Sequence, residues 1–130
     1  MEFSAGTINK INGHVIEIFF TRDAEIDQIM AIEILHEIIN LSEGQPHALL
    51  YNFNKKNVIL SGIARKLSGV RNYNNANLIS RAMVTQTMVG GLESTHYINH
   101  DKPEAETKLF DSMEKALVWL NQKVETFLQK

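Results

Sequence analysis

The stretch His47-Ala48-Leu49-Leu50-Tyr51-Asn52-Phe53 constrains the fold more than any other part of the chain. It is apolar nearly throughout, follows Gly44 and Pro46, and gives way to the polar run Asn54-Lys55-Lys56-Asn57. A short continuous apolar run between turn signals is the pattern of a strand buried on both faces. Such a strand belongs at the centre of a sheet that helices cover.

The flanking segments supply the rest of that architecture. Residues 7–21 read as a β-hairpin turning at Asn12-Gly13, two residues that tolerate positive φ. Its second strand, with Val15, Ile16, Ile18, Phe19 and Phe20, is denser in apolar residues than its first, which places the first at the sheet edge and the second further in. Asp23 is a plausible N-cap for a helix over about residues 25–41, which Gly44 and Pro46 close. The apolar positions of that helix cover well over half its circumference and leave a strip of Glu33, His36, Glu37 and Asn40. One side of a sheet needs a stripe only a little wider than about 100°. The excess requires a second covering surface: a neighbouring helix, a dimer contact or an apolar ligand groove.

Further along, Ser61-Gly62 opens a second predicted helix reaching about residue 73, and residues 72–77 form an Asn-rich loop. Residues 82–85 read as a buried strand, residues 88–99 as a third helix weakened by Gly90-Gly91, and residues 107–110 as a short strand. Asp111 followed by Glu114 has the spacing of a capping box, and a last helix follows with Met113, Ala116, Leu117, Leu120, Val124, Phe127 and Leu128 on one stripe. Val118 and Trp119 fall outside it. The order is β-β-α-β-α-β-α-β-α, an α/β chain (α+β by some schemes) with a mixed central sheet of about five strands, in one domain spanning residues 1–130.

Composition narrows the function classes. The formal net charge is -2, so no bulk electrostatic argument favours a nucleic acid or an anionic membrane. There is no cysteine, which removes disulfides, thiolate metal sites and thiol catalysis. No apolar run approaches the roughly 20 residues of a membrane span. Met1-Glu2-Phe3-Ser4 lacks the basic-then-apolar pattern of a secretory signal, so the expected location is the cytoplasm.

The hairpin, the helix ending in Leu41-Ser42-Glu43-Gly44, and Leu49-Leu50-Tyr51-Asn52-Phe53 leading to Ser61-Gly62 resemble the STAS, or SpoIIAA-like, fold of anti-sigma-factor antagonists. Ala64-Arg65, Ala82-Met83-Val84, Lys102-Pro103, Thr107-Lys108-Leu109-Phe110 and Ala116-Leu117-Val118-Trp119-Leu120 are similar to small, uncharacterised, stand-alone bacterial STAS-like proteins. The resemblance implies a non-enzymatic regulatory or protein-interaction module. Signalling members of the fold carry Asp-Ser-Ser/Thr-Gly at the strand-to-helix turn and are phosphorylated on its first Ser. Aligned on Gly62, this chain has Ile59-Leu60-Ser61-Gly62, so Ile59 replaces the acid and Leu60 the phosphoacceptor. The usual phosphoswitch is therefore not expected. The broader grouping also implies an alternative, a small apolar or lipid-like ligand beside the first helix.

Two candidate surfaces follow. Lys55, Lys56, Ser61, Gly62 and Arg65 form a candidate partner or anion surface at the start of the second helix. Ser61 reads there as a helix N-cap or, alternatively, a phosphoryl acceptor. The loop has neither GxxxxGK[ST] nor GxGxxG spacing. Ile29, Val118 and Trp119 are the candidate oligomer surface of a homodimer. His96 and His100 have helical i,i+4 spacing but no HExxH context, and no metal or other cofactor is expected. Arg65, Lys66, Arg71 and Arg81 are candidates for one basic side, without the aromatic interleaving of a single-strand platform. No Gly-x-Ser-x-Gly elbow is present.

Overall fold

The computed structural model of the chain describes residues 1–61, 77–87, 91 and 105–129. The predicted second helix beyond Ser61 and the predicted third helix apart from Gly91, with Gly62, Arg65, Lys66, Arg71, His96 and His100, lie outside the described residues.

Six strands form one mixed sheet: β1 (Glu2–Phe3), β2 (Gly6–Lys10), β3 (Val15–Phe20), β5 (His47–Asn52), β7 (Leu78–Val84) and β8 (Glu106–Phe110), side by side in that order. β1, β2 and β3 pair antiparallel, whereas β3, β5, β7 and β8 run parallel. Two short strands, β4 (Ala24–Ile26) and β6 (Val58–Leu60), make a separate parallel pair. Helix α1 (Gln28–Ser42) packs on β2, β3 and β4, and helix α2 (Met113–Leu128) on β5, β7 and β8.

The predicted central strand is central. β5 hydrogen-bonds to β3 on one side and β7 on the other, and its first five residues are buried. Successive side chains of a strand point to opposite faces. Leu49 and Tyr51 accordingly join Ile16, Ile18, Ile34 and Ile38 under α1, while Ala48 and Leu50 join Val15, Ala82, Ala116 and Leu120 under α2. Because each face has its own helix, β5 has no position that must be polar.

Four local expectations are corrected. The hairpin turn is not a two-residue turn with positive φ: Gly44 is the glycine with positive φ among the described residues, and Gly13 is not in that region. Asn12 instead organises a longer loop, its Oδ1 accepting from the backbone N–H of His14 and of Val15 at 2.9 Å each. The predicted first strand is not the edge, because β1 pairs beyond it. The first helix begins later than predicted. Residues 24–26 are the strand β4, and the N-cap is Asp27, whose Oδ1 accepts from the Met30 N–H at 2.9 Å. Asp23 accepts from the Asn57 N–H at 2.8 Å, tying the approach to β4 to that of β6. The last helix is capped by Ser112, whose Oγ accepts from the Lys115 N–H, while Asp111 forms an ion pair with Lys115 at 3.1 Å. Asp and Ser are both good caps, so spacing alone does not choose between adjacent ones.

Candidate functional site

Helix α1 shows which part of its wide apolar surface the fold uses. Ala31, Ile34, Leu35, Ile38 and Ser42 are buried. At 100° per residue these occupy one arc. The opposite arc faces outward and contains Ile29, His36, Asn40 and Glu33, flanked by Ile32 and Ile39 on one side and Glu37 on the other. Ile29 is 74% exposed, and Ile32 and Ile39 are only half-buried. With Met1, this face borders an open groove of about 700 Å3. The excess apolar surface read in the sequence is thus covered in part and open in part. Neither Glu33 nor Glu37 has an ion-pair partner among the described residues.

The sequence-derived partner surface lies at the far end of β5. Beyond Asn52 the chain makes a tight turn in which the Lys56 N–H donates to the Phe53 carbonyl at 2.8 Å. Asn54 and Lys55 are both left-handed, at φ 49° and 61°, as the two central residues of a type I′ turn are. Asn52 Oδ1 accepts from the Asn54 N–H at 3.0 Å, and the Asn54 side-chain amide donates to the Phe20 carbonyl at 3.3 Å. Lys55 is exposed and Lys56 half-buried. The Ser61 N–H donates to the Ile26 carbonyl at 3.0 Å, so its backbone extends the β4–β6 pairing. The two lysines and Ser61 stand at opposite ends of β6.

Ile29, Val118 and Trp119 are not brought together. Ile29 is on α1, and the other two are on α2, which covers the opposite face of the sheet. The Trp119 ring packs 5.5 Å from the ring of Phe110, on strand β8, and Lys123 sits 5.6 Å from the Trp119 ring centroid. Trp119 therefore covers the β8 side of the sheet, while Val118 beside it remains 55% exposed. Arg81 also differs from expectation. It does not join a basic surface but is 2% exposed, with its guanidinium 5.8 Å from the ring centroid of Tyr51. Arg tolerates such a position because its long stem is apolar and its planar head stacks on aromatic faces.

His47 is a titratable group with no neighbouring motif to mark it in the sequence. It opens β5 and is 3% exposed. Its Nδ1 lies 2.9 Å from the Gln45 carbonyl, so Nδ1 carries the proton and donates. Nε2 is buried with no hydrogen-bond partner among the described residues. Burial lowers the pKa below the ordinary histidine value. The Gln45 carbonyl opposes that shift, and the positive charge of Lys10 adds to it. The folded state thus holds a neutral ring that the unfolded chain protonates more readily. Its contribution is complete above the unfolded pKa of about 6.5 and declines as pH falls below that value. Denaturation midpoints are expected to drop between about pH 7.5 and about pH 5.5, and to drop less in His47→Gln. Urea titrations at the two pH values check this.

Among the described residues, no helix is long and apolar enough to cross a membrane. The mixed parallel sheet with its antiparallel hairpin edge and a helix on each face defines a SpoIIAA-like fold. A crystal structure of an uncharacterised protein of the DUF3478 family with that fold, from Shewanella loihica PV-4, matches with a TM-score of 0.55 at 13% identity, covering 88% of this chain and 90% of the other. The chain belongs to the family described as domain of unknown function DUF7793, which matches residues 9–124. No functionally curated protein matches it in sequence.

Proposed function

We propose that the chain is a non-enzymatic protein-interaction module of STAS type, acting in the cytoplasm through the outward face of α1. The observation that carries this reading is an isoleucine left 74% exposed at the start of a helix whose other face is fully used in the core. Contiguous apolar surface flanked by polar groups is a mark of interaction sites. The substitution of Ile59 and Leu60 at the phosphoswitch positions supports constitutive docking over phosphorylation control.

A second reading is favoured by one feature, the groove volume of about 700 Å3, which falls within the range of about 300–1,000 Å3 that small ligands occupy. On that reading the groove holds a small apolar or lipid-like molecule. Native mass spectrometry of the protein purified from its own host separates the two. A stoichiometric protein partner, or a second copy of the chain, that Ile29→Asp releases is the expected result. A lipid-sized mass that the same variant releases supports the second reading instead. A partner retained by Ile29→Asp places the interaction elsewhere and overturns the assignment to α1. Thermal unfolding of Ile29→Asp is expected to match the wild type, since a surface change away from structural features alters stability by only about 0.5 kcal/mol.

A further inference from the structure

The outward face of α1 is divided along its length. Ile32 and Ile39 form one flank, two turns apart, and Glu37 the other, with Glu33 one turn before it on the same side; Ile29 opens the row between them, which His36 and Asn40 continue. The carboxylates have no cation of their own among the described residues. We infer that the occupant of this face is a basic amphipathic helix of a partner protein. Its apolar stripe lies on Ile29, Ile32 and Ile39, and its Lys or Arg side chains at i,i+4 spacing meet Glu33 and Glu37. The inference rests on the docking reading above and adds the chemistry of the partner.

Three observations favour this occupant. A helix face has no free backbone donors or acceptors along its side, so it cannot add a strand. It receives another helix, ridge into groove. A second copy of the chain has no matching basic row on its described helices. α1 against α1 would bring the carboxylates together, and on α2 Lys115 is held by Asp111 and Lys123 by Glu106 at 2.6 Å. An anionic headgroup would meet Glu33 and Glu37 with like charge, which is unfavourable.

The test is selection from a displayed library of random peptides long enough for about four helical turns, panned on the whole chain. Enriched peptides are then synthesised and titrated against wild type, Ile29→Asp and the double variant Glu33→Gln/Glu37→Gln. The expected peptides carry net positive charge with apolar residues at i, i+3 or i+4, and i+7. They bind Ile29→Asp at least about tenfold more weakly, bind the double variant about three- to tenfold more weakly, and lose affinity as salt rises. Peptides that need Ile29 but are neutral or acidic overturn the inference and leave the docking face standing. Peptides indifferent to Ile29→Asp, or no enrichment at all, overturn both. Circular dichroism of each variant confirms that the fold is intact in the comparison.

Discussion

Replacing Gly6 with valine is expected to unfold the protein or leave it insoluble. Gly6 lies in β2 between Phe3 of β1 and Phe20 of β3. A Cβ built on it would stand 1.9 Å from the carbonyl oxygen of Phe19, 2.9 Å from that carbonyl carbon and 3.0 Å from the Phe20 Cα. All three are backbone atoms, so no rotamer change can relieve the overlap. The β2 and β3 backbones would have to separate, and β3 is itself held by β5. Overpacking in a core usually costs about 1–3 kcal/mol when side chains can shift, and here the cost is expected to exceed that range because backbone must move. Set against a total stability of about 5–15 kcal/mol, that is a large fraction. Gly6→Ala is expected to follow in the same direction with a smaller loss. Gly13→Ala is the control: its Cβ meets nothing within 4 Å and its φ is not positive, so its denaturation midpoint should equal or slightly exceed that of the wild type. Equal midpoints for Gly6→Ala and Gly13→Ala in urea would contradict the close approach at Gly6.

Phe20→Ala should lower the unfolding free energy by about 3–5 kcal/mol, the range for emptying a buried aromatic site. Phe20 is fully buried, ends β3, and joins the hairpin to the central strand through rings. Its centroid is 5.7 Å from that of Phe3, edge to face at 85°, and 5.4 Å from that of Phe53, tilted at 59°. The three rings come from β1, β3 and the residue just beyond β5, so none can shift into the vacancy without disturbing strand pairing. The denaturant midpoint should fall with an unchanged slope. Phe20→Leu, which refills most of the volume, should recover much of the loss. A loss below about 1 kcal/mol for Phe20→Ala would place this ring outside a tightly packed interior.

Gly6 and Gly13 illustrate what local pattern can and cannot reveal. Asn12-Gly13 is the conspicuous pair in sequence, yet its glycine needs neither positive φ nor space. Gly6 carries no turn signal at all, and its requirement arises from the close approach of its hairpin partner β3. The same holds for Asp23 and Asp27. Both have cap chemistry, and pairing of β4 with β6 decides that only Asp27 caps α1. Arg81 looked like surface charge because charge is usually solvated, and only the packing of β7 against β5 put it beneath Tyr51.

For the candidate site, the excess width of the α1 apolar surface was legible from periodicity. That it is the arc with Ile29, Ile32 and Ile39 that stays open was not, because a helix with several apolar arcs can bury any of them. That Ile29 lies on the opposite face of the sheet from Val118 and Trp119 was not legible for a related reason: exposure can be inferred residue by residue, but adjacency cannot.

By itself the sequence determined a strand within residues 47–53 buried on both sides, because a nearly continuous apolar run between turn signals leaves neither surface for water. It also determined the two amphipathic helices, since their spacing matches the helical repeat. Only the tertiary structure decided that α1 and α2 cover opposite faces, that a glycine in β2 admits no side chain, and that an acidic and an apolar row share one open helix face. These depend on which distant segments meet, and that is set by the combined packing of the sheet and its layers, not by any stretch read alone.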